Sequence, residues 1–228
     1  MNRIKTLTGV FLLFSLVVSG QSVNKPNFFL TSHETLTILS ITNTHSGSVV
    51  KAELINYIDG GTFCIDKGTR ITTADGKPLK LRSVTGLPQC PEVYRFASFG
   101  EKIFFTMNFD PIPEDTKWIN IIEGCDDNCV TIYGLVLNEK LNMAIDEAYN
   151  LLEEGKTEMG VKLFEEILGG LKGSNHMYEA AIYSTLIELM TKEGEAERKK
   201  YYLDELLNSK SPGASLALSN LKTRGIIY

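Results

Sequence analysis

Lys102-Ile103-Phe104-Phe105-Thr106-Met107-Asn108-Phe109 decides how this chain is read. Ile103, Phe105, Met107 and Phe109 fall on one side of an extended backbone, and Phe104, Thr106 and Asn108 on the other. A period of two marks a strand with one face in a core. Pro111 and Pro113 follow at once. Proline cannot donate to a hydrogen-bonded ladder, so no central strand continues through them.

Working outward toward the N-terminus, residues 36–41 and 49–57 read as strands. Asp59-Gly60-Gly61 is a turn, and residues 62–66 are expected to pair back across it. Residues 70–73 and 79–84 flank Asp75-Gly76, a strong hairpin signal. Toward the C-terminus, residues 118–123 and 130–137 form two more strands, joined by the loop that carries Cys125 and Cys129. Many short strands with no helical segment between them predict an antiparallel β-sandwich of immunoglobulin-like type.

The pattern changes near Asn138, where apolar residues begin to recur every three or four positions. Asn138 is a good N-cap for a helix whose stripe is Leu141, Ile145, Ala148, Tyr149 and Leu152. Gly155 is placed to end it in a left-handed conformation. Thr157 is read as the next cap, with Val161, Phe164, Ile167, Leu168 and Leu171 on the inner face and Gly169-Gly170 as a break. A third helix covers 178–191 and ends at Gly194, a fourth covers 195–207, and Pro212 opens a last one through Leu221. Short connections predict a stacked array of helical hairpins. The chain is thus divided into a sandwich over 23–137 and a helical part over 138–228.

Residues 1–20 carry a different signature. Arg3 and Lys5 precede an almost wholly apolar run from Leu7 to Val18, and small residues stand before Gln21. This order predicts a cleavable signal peptide. The run falls short of the roughly 20 apolar residues needed to cross a bilayer. The mature chain is therefore expected in the periplasm, on the cell surface or outside the cell, with no transmembrane segment. The whole chain has a formal net charge of −5 with both signs mixed along it. Without a basic patch, neither nucleic acid nor an anionic membrane surface is an expected partner.

All four cysteines, Cys64, Cys90, Cys125 and Cys129, lie beyond the leader. An even number in an exported chain favours disulfides. Three pairings are possible, and Cys64–Cys90 with Cys125–Cys129 is preferred. Loop-closure entropy assigns about 3.5 kcal/mol to the longer bridge and about 2 kcal/mol to the shorter. His33, His45 and His176 are scattered and have no ligand spacing, so neither a metal nor a cofactor is expected.

The catalytic signals are weak. Gly155-Lys156-Thr157 ends like a phosphate-binding loop, but Asn150 stands where the first glycine belongs and a helix precedes it instead of a strand. No Gly-x-Ser-x-Gly elbow occurs. The three histidines read as solvated surface residues. Glu123, Asp126 and Asp127 are the densest acids outside the helices, and a carboxylate pair among them would suit hydrolysis of a glycoside. Trp118 and Tyr133, on neighbouring strands, read first as core aromatics, and would otherwise suit an aromatic platform for a sugar.

Two resemblances add to this. The order Ala148, Gly155, Gly160, Phe164, Ile167 resembles a tetratricopeptide repeat over 142–171, in which small residues let two helices approach and an aromatic fills the groove between them. The paired aromatic and Leu-Gly signature of that repeat's first helix is missing. Phe105 to Pro113, Trp118 to Gly124 and Ile132 to Leu135 together look like the exported β-domains of uncharacterised Bacteroidetes-type envelope proteins. That resemblance covers about 31–137 and implies a location and a fold, but no activity. The leading expectation is a non-enzymatic interaction module of the cell envelope that meets another envelope or secreted protein through its helical part. A sandwich binding carbohydrate or surface polymer through Trp118 and Tyr133 comes second, and a hydrolase built on Glu123, Asp126 and Asp127 third.

Overall fold

The computed structural model describes residues 21–125 and 129–228. The expected signal peptide, and Asp126, Asp127 and Asn128, lie outside the described residues. In chain order the strands are β1 (Gln21–Asn24), β2 (Leu30–Thr31), β3 (Leu36–Thr44), β4 (Gly47–Ile55), β5 (Thr62–Phe63), β6 (Arg70–Thr72), β7 (Pro78–Thr85), β8 (Tyr94–Arg95), β9 (Lys102–Phe109), β10 (Trp118–Ile122) and β11 (Thr131–Val136). The helices are α1 (Glu139–Glu153), α2 (Thr157–Leu171), α3 (Tyr178–Glu193), α4 (Ala196–Asn208) and α5 (Ala214–Thr223).

Among the described residues nine strands join one antiparallel sheet in the order β1-β3-β4-β9-β7-β6-β10-β11-β2. The alternation on β9 is realised: Ile103, Phe105, Met107 and Phe109 are buried, whereas Phe104 is 60% exposed. These four meet Leu36, Ile38 and Ile41 of β3, Val50 and Leu54 of β4, and Ile71, Ile119, Ile121, Ile132 and Leu135 from the other half of the sheet. Side chains from both halves share one core, so the sheet is curled.

The curl is made at β7. Its first half pairs with β6, placing Leu79 opposite Ile71, and its second half pairs with β9, placing Val84 opposite Met107. The register slips between Leu81 and Ser83, a bulge that bends the strand and raises its twist. Asp110 fastens this corner: its carboxylate accepts the Lys80 N–H at 2.9 Å and the Arg82 Nε–H at 2.8 Å. Those two donors hold its carboxyl below the usual aspartate range. The Pro111-Ile112-Pro113 segment is fixed by a buried network. Asn43 gives its amide to the Ile112 carbonyl at 2.7 Å, and its oxygen accepts the Ile112 N–H at 3.0 Å and the Ser48 hydroxyl at 2.7 Å.

Some local expectations are revised. Residues 62–66 do not pair back onto 49–57; β5 pairs with β8 in a separate ribbon, next to the bridge between Cys64 and Cys90. Thr157 is the first residue of α2 and does not cap it, and Gly169 and Gly170 lie inside that helix. Two interior glycines cost about 1 kcal/mol each. Burial of Val161, Phe164, Ile167, Leu168 and Leu171 outweighs that cost. Asn138 does cap α1, its side-chain oxygen accepting the Leu141 N–H at 2.9 Å.

The helices pack as α1 on α2 and α3 on α4, with α5 against α3. The first hairpin turns at Gly155, φ +75°. Gly160 then meets the Ala148 turn so closely that a Cβ there would stand 2.6 Å from Leu152 Cδ2 and 3.0 Å from the Ala148 carbonyl. Phe164 fills the gap behind it, edge-on to Tyr149 at 5.1 Å. A second apolar cluster, containing Val136, Tyr178, Ile182, Leu186 and Leu206, holds these helices together, with Phe29 packed against it. Sheet and helices touch through β11. Gly134, at φ +70°, a conformation L side chains rarely adopt, is closely covered: a Cβ there would lie 3.1 Å from Phe29 and 3.3 Å from Met177. Among the described residues no helix is long and apolar enough to cross a membrane.

Candidate functional site

The odd-numbered helices α1, α3 and α5 face the same side of the helical part. With residues 28–30 as an end wall they enclose an open groove of about 480 Å³. Its apolar lining comes from Phe28, Phe29, Leu152, Ala181 and Leu189. These residues lie there because the hairpin spacing brings every second helix to one surface, and because the turn before β2 reaches across to α1 and α3.

The groove also carries polar groups. The Thr185 hydroxyl donates to the Ala181 carbonyl at 3.2 Å, and the Tyr149 hydroxyl stands 3.0 Å from it, so Tyr149 is the donor of that pair. Ser184, one position earlier on α3, is 7% exposed and its Oγ has no hydrogen-bond partner among the described residues. An unpaired buried hydroxyl costs on the order of 1–3 kcal/mol, and helix α3 retains this one beside the groove. At the rim, the Arg224 guanidinium takes Glu188 in a two-pronged ion pair, with Nη2–Oε2 at 2.9 Å. Lys192 has no ion-pair or hydrogen-bond partner among the described residues. Two cations and one carboxylate leave the rim with a net positive charge.

The sequence-expected residues are placed elsewhere. Trp118 is 4% exposed and its indole N–H donates to the Asn175 carbonyl at 2.9 Å, tying β10 to the segment before α3. Tyr133 is half-buried. The buried indole agrees with the preferred core reading of Trp118 and serves the contact between sheet and helices, so it is not part of an open two-ring platform. Glu123 is buried, and both oxygens are engaged by backbone: Oε1 accepts the Asp66 N–H at 2.8 Å and Oε2 the Val130 N–H at 2.6 Å. Its carboxylate thus spans the two loops that carry the disulfides, where Gly68 and Gly124 approach backbone to backbone. That geometry suits a brace, whereas a general acid needs a proton on one of these oxygens and a cleft to deliver it. Asp126 and Asp127 lie outside the described residues.

The cysteines pair as Cys64–Cys90 and Cys125–Cys129, the preferred connectivity. Two disulfides point to an oxidising, non-cytoplasmic environment. His176 is not a surface residue: it is 2% exposed and its Nδ1 accepts the Tyr178 N–H at 3.2 Å. Burial, with the nearby Lys117 charge, lowers its pKa to about 4.

Sequence reasoning missed the groove residues Ser184, Lys192 and Arg224. Ser184 falls inside the expected third helix, whereas Lys192 and Arg224 lie just past the expected ends of the third and last helices, and which face remains open depends on where residues 28–30 pack. The chain matches no family model, no curated protein and no solved structure.

Proposed function

We propose that this chain is a non-enzymatic interaction module of the cell envelope, and that its groove between α1, α3 and α5 receives a peptide segment of an envelope or secreted partner. The groove carries this reading: an apolar floor under a cationic rim, with an unpaired buried hydroxyl in its wall. A peptide with an apolar side chain next to an acidic group complements all three. Helical-hairpin arrays commonly bind peptides on such a surface. The tetratricopeptide-like assignment of the helices is supported by the Gly155 turn, the tight Gly160 approach and the Phe164 filling. For the sheet, a sandwich whose two layers meet at β7 agrees with the shared core, although immunoglobulin-like layers would not share a strand. An envelope location is supported by the leader pattern in residues 1–20 and by the two disulfides.

The test is selection of a displayed peptide library on the immobilised chain, followed by affinity measurement against Leu189→Arg. Enriched peptides should hold an acidic residue beside apolar ones and lose at least about tenfold in affinity on the variant, equivalent to roughly 1.4 kcal/mol. A library that yields no binder, or binders indifferent to Leu189→Arg, contradicts the proposal.

A further inference from the structure

The groove between α1, α3 and α5 has two unlike ends. Phe29 and Met177 both lie against Gly134 of β11, and Met177 is the residue before α3. Phe29 therefore closes the groove at the N-terminal end of α3. The cations stand at the other end: Lys192 is in the last turn of α3, and Arg224, the C-cap of α5, is held by Glu188. Between these ends the lining residues Ala181, Ser184, Thr185, Glu188, Leu189 and Lys192 fall at three- and four-residue intervals, on one face of the helix. Ser184 and Lys192 are separated by about 12 Å along its axis.

The hydroxyls in this lining are not equivalent. Tyr149 bonds Thr185, and Thr185 bonds the Ala181 carbonyl. Ser184 Oγ has no hydrogen-bond partner among the described residues, although its residue is only 7% exposed. A serine hydroxyl both donates and accepts, and its single side-chain torsion lets it turn to meet an arriving group. One unclaimed hydrogen-bonding position thus stands in the wall of a groove floored by Phe28, Phe29, Leu152 and Leu189.

A complementary peptide brings an apolar body with a polar tip, and a negative charge on the side away from that tip. Serine, threonine and asparagine are too short to cover the apolar floor. Leucine or phenylalanine covers it but leaves Ser184 Oγ unpaired inside the complex, which is unfavourable for a buried polar group. Tyrosine carries a hydroxyl at the far end of an aromatic ring, and that hydroxyl gives or accepts a hydrogen bond as Ser184 requires.

We infer that the partner's peptide anchors in the groove through a tyrosine whose ring lies on the apolar floor and whose hydroxyl pairs with Ser184 Oγ, while an aspartate or glutamate beside it in sequence meets Lys192. This rests on the peptide reading of the groove and adds the identity of the anchor. Ser184 is the residue that sets specificity, and Lys192, a charge on a flexible stem, tolerates either acid.

Two displayed peptide libraries test this on the immobilised full chain. They are identical except that one fixes tyrosine followed by aspartate at the centre and the other phenylalanine followed by aspartate. The tyrosine library should yield the tighter binders. The best of these is remade with phenylalanine, and both peptides are titrated calorimetrically against the native chain and Ser184→Ala. On the native chain, removing the peptide hydroxyl should weaken binding about tenfold, roughly 1.4 kcal/mol. Ser184→Ala should weaken the tyrosine peptide by a similar factor and leave the phenylalanine peptide unweakened, so the two changes are coupled and not additive. The Tm of Ser184→Ala should hold or rise, because the hydroxyl it removes has no partner among the described residues; this separates lost recognition from lost structure. Lys192→Ala should weaken both peptides alike. Binders that are lost on Leu189→Arg but accept phenylalanine as well as tyrosine, or that weaken equally with both residues on Ser184→Ala, overturn the tyrosine anchor and leave the peptide groove standing. No binder from either library, or binders indifferent to Leu189→Arg, overturns both.

Discussion

Asn142 accepts the backbone N–H of Asn27 through its side-chain oxygen at 2.7 Å and gives its own amide to the Val136 carbonyl at 3.0 Å. One buried amide in α1 thereby holds the segment before β2 and the end of β11 together. Asn27 answers with its own side chain, which donates to Asp146 Oδ1 at 2.8 Å. The wall of the groove, residues 28–30, begins immediately after this contact, so the position of that wall depends on Asn142.

Asn142→Leu keeps a similar volume but leaves the Asn27 N–H and the Val136 carbonyl without this partner. Each abandoned buried group costs about 1–3 kcal/mol. Urea unfolding should show a loss of roughly 2–4 kcal/mol by the same reasoning. A loss below about 0.5 kcal/mol, the range of an ordinary surface change, would show that Asn142 does not join sheet to helices.

Glu123→Gln separates a brace from a catalyst. The amide can accept only one of the two backbone N–H groups now held, and it turns a donor toward the other. The expected loss is about 2 kcal/mol, or roughly 4–8 °C in Tm for a chain of this size. A variant with unchanged Tm would show that Glu123 is not under structural demand and would reopen a chemical role for it.

His176 gives the fold a pH dependence whose sign is fixed by its burial. Its pKa falls from 6.5 to about 4 on folding. Between these values the unfolded chain binds a proton that the folded chain refuses, so stability is lost as pH falls from 6.5 toward 4 and is level above 6.5. The full difference is on the order of 3 kcal/mol at 1.36 kcal/mol per unit. The lowered carboxyls of Asp110 and Glu205 lose their contribution only at more acid pH, below the ordinary carboxylate range. Chemical denaturation at pH 7 and pH 5 should therefore show a drop for the native chain that His176→Leu removes. A drop of the same size in both proteins would place the pH dependence elsewhere.

How far the sequence could be read differs from element to element. Residues 102–109 alternate so regularly that strand, span and inward face follow directly, and the Asp75-Gly76 hairpin and Asn138 cap need only local chemistry. Of the three pairings open to the cysteines, the preferred one, Cys64–Cys90 with Cys125–Cys129, is formed. β7 is different, because its two halves serve different neighbours and only the Leu81 slip shows where it changes sides. His176 looks like a surface residue beside Asn175, yet the Trp118 contact and the Ser211 hydroxyl that donates to the His176 carbonyl at 3.0 Å seal it in. Trp118 reads as core more readily than as platform, but what its indole N–H bonds to emerges only when the helices are placed against the sheet. Each of these depends on contacts between segments far apart in the chain, which periodicity does not encode.

The central claim is that the groove bounded by Tyr149, Ser184 and Leu189 takes a peptide. Backbone amide chemical-shift mapping of the isotope-labelled chain with a library-selected peptide tests it most directly. Shifts should cluster on α1, α3 and α5 around Tyr149, Ser184, Thr185 and Lys192, and on residues 28–30. Shifts confined instead to the exposed Tyr57–Phe99 pair, whose rings lie 5.3 Å apart in the segments after β4 and before β9, or spread over the outer face of β9 around Phe104, would contradict it.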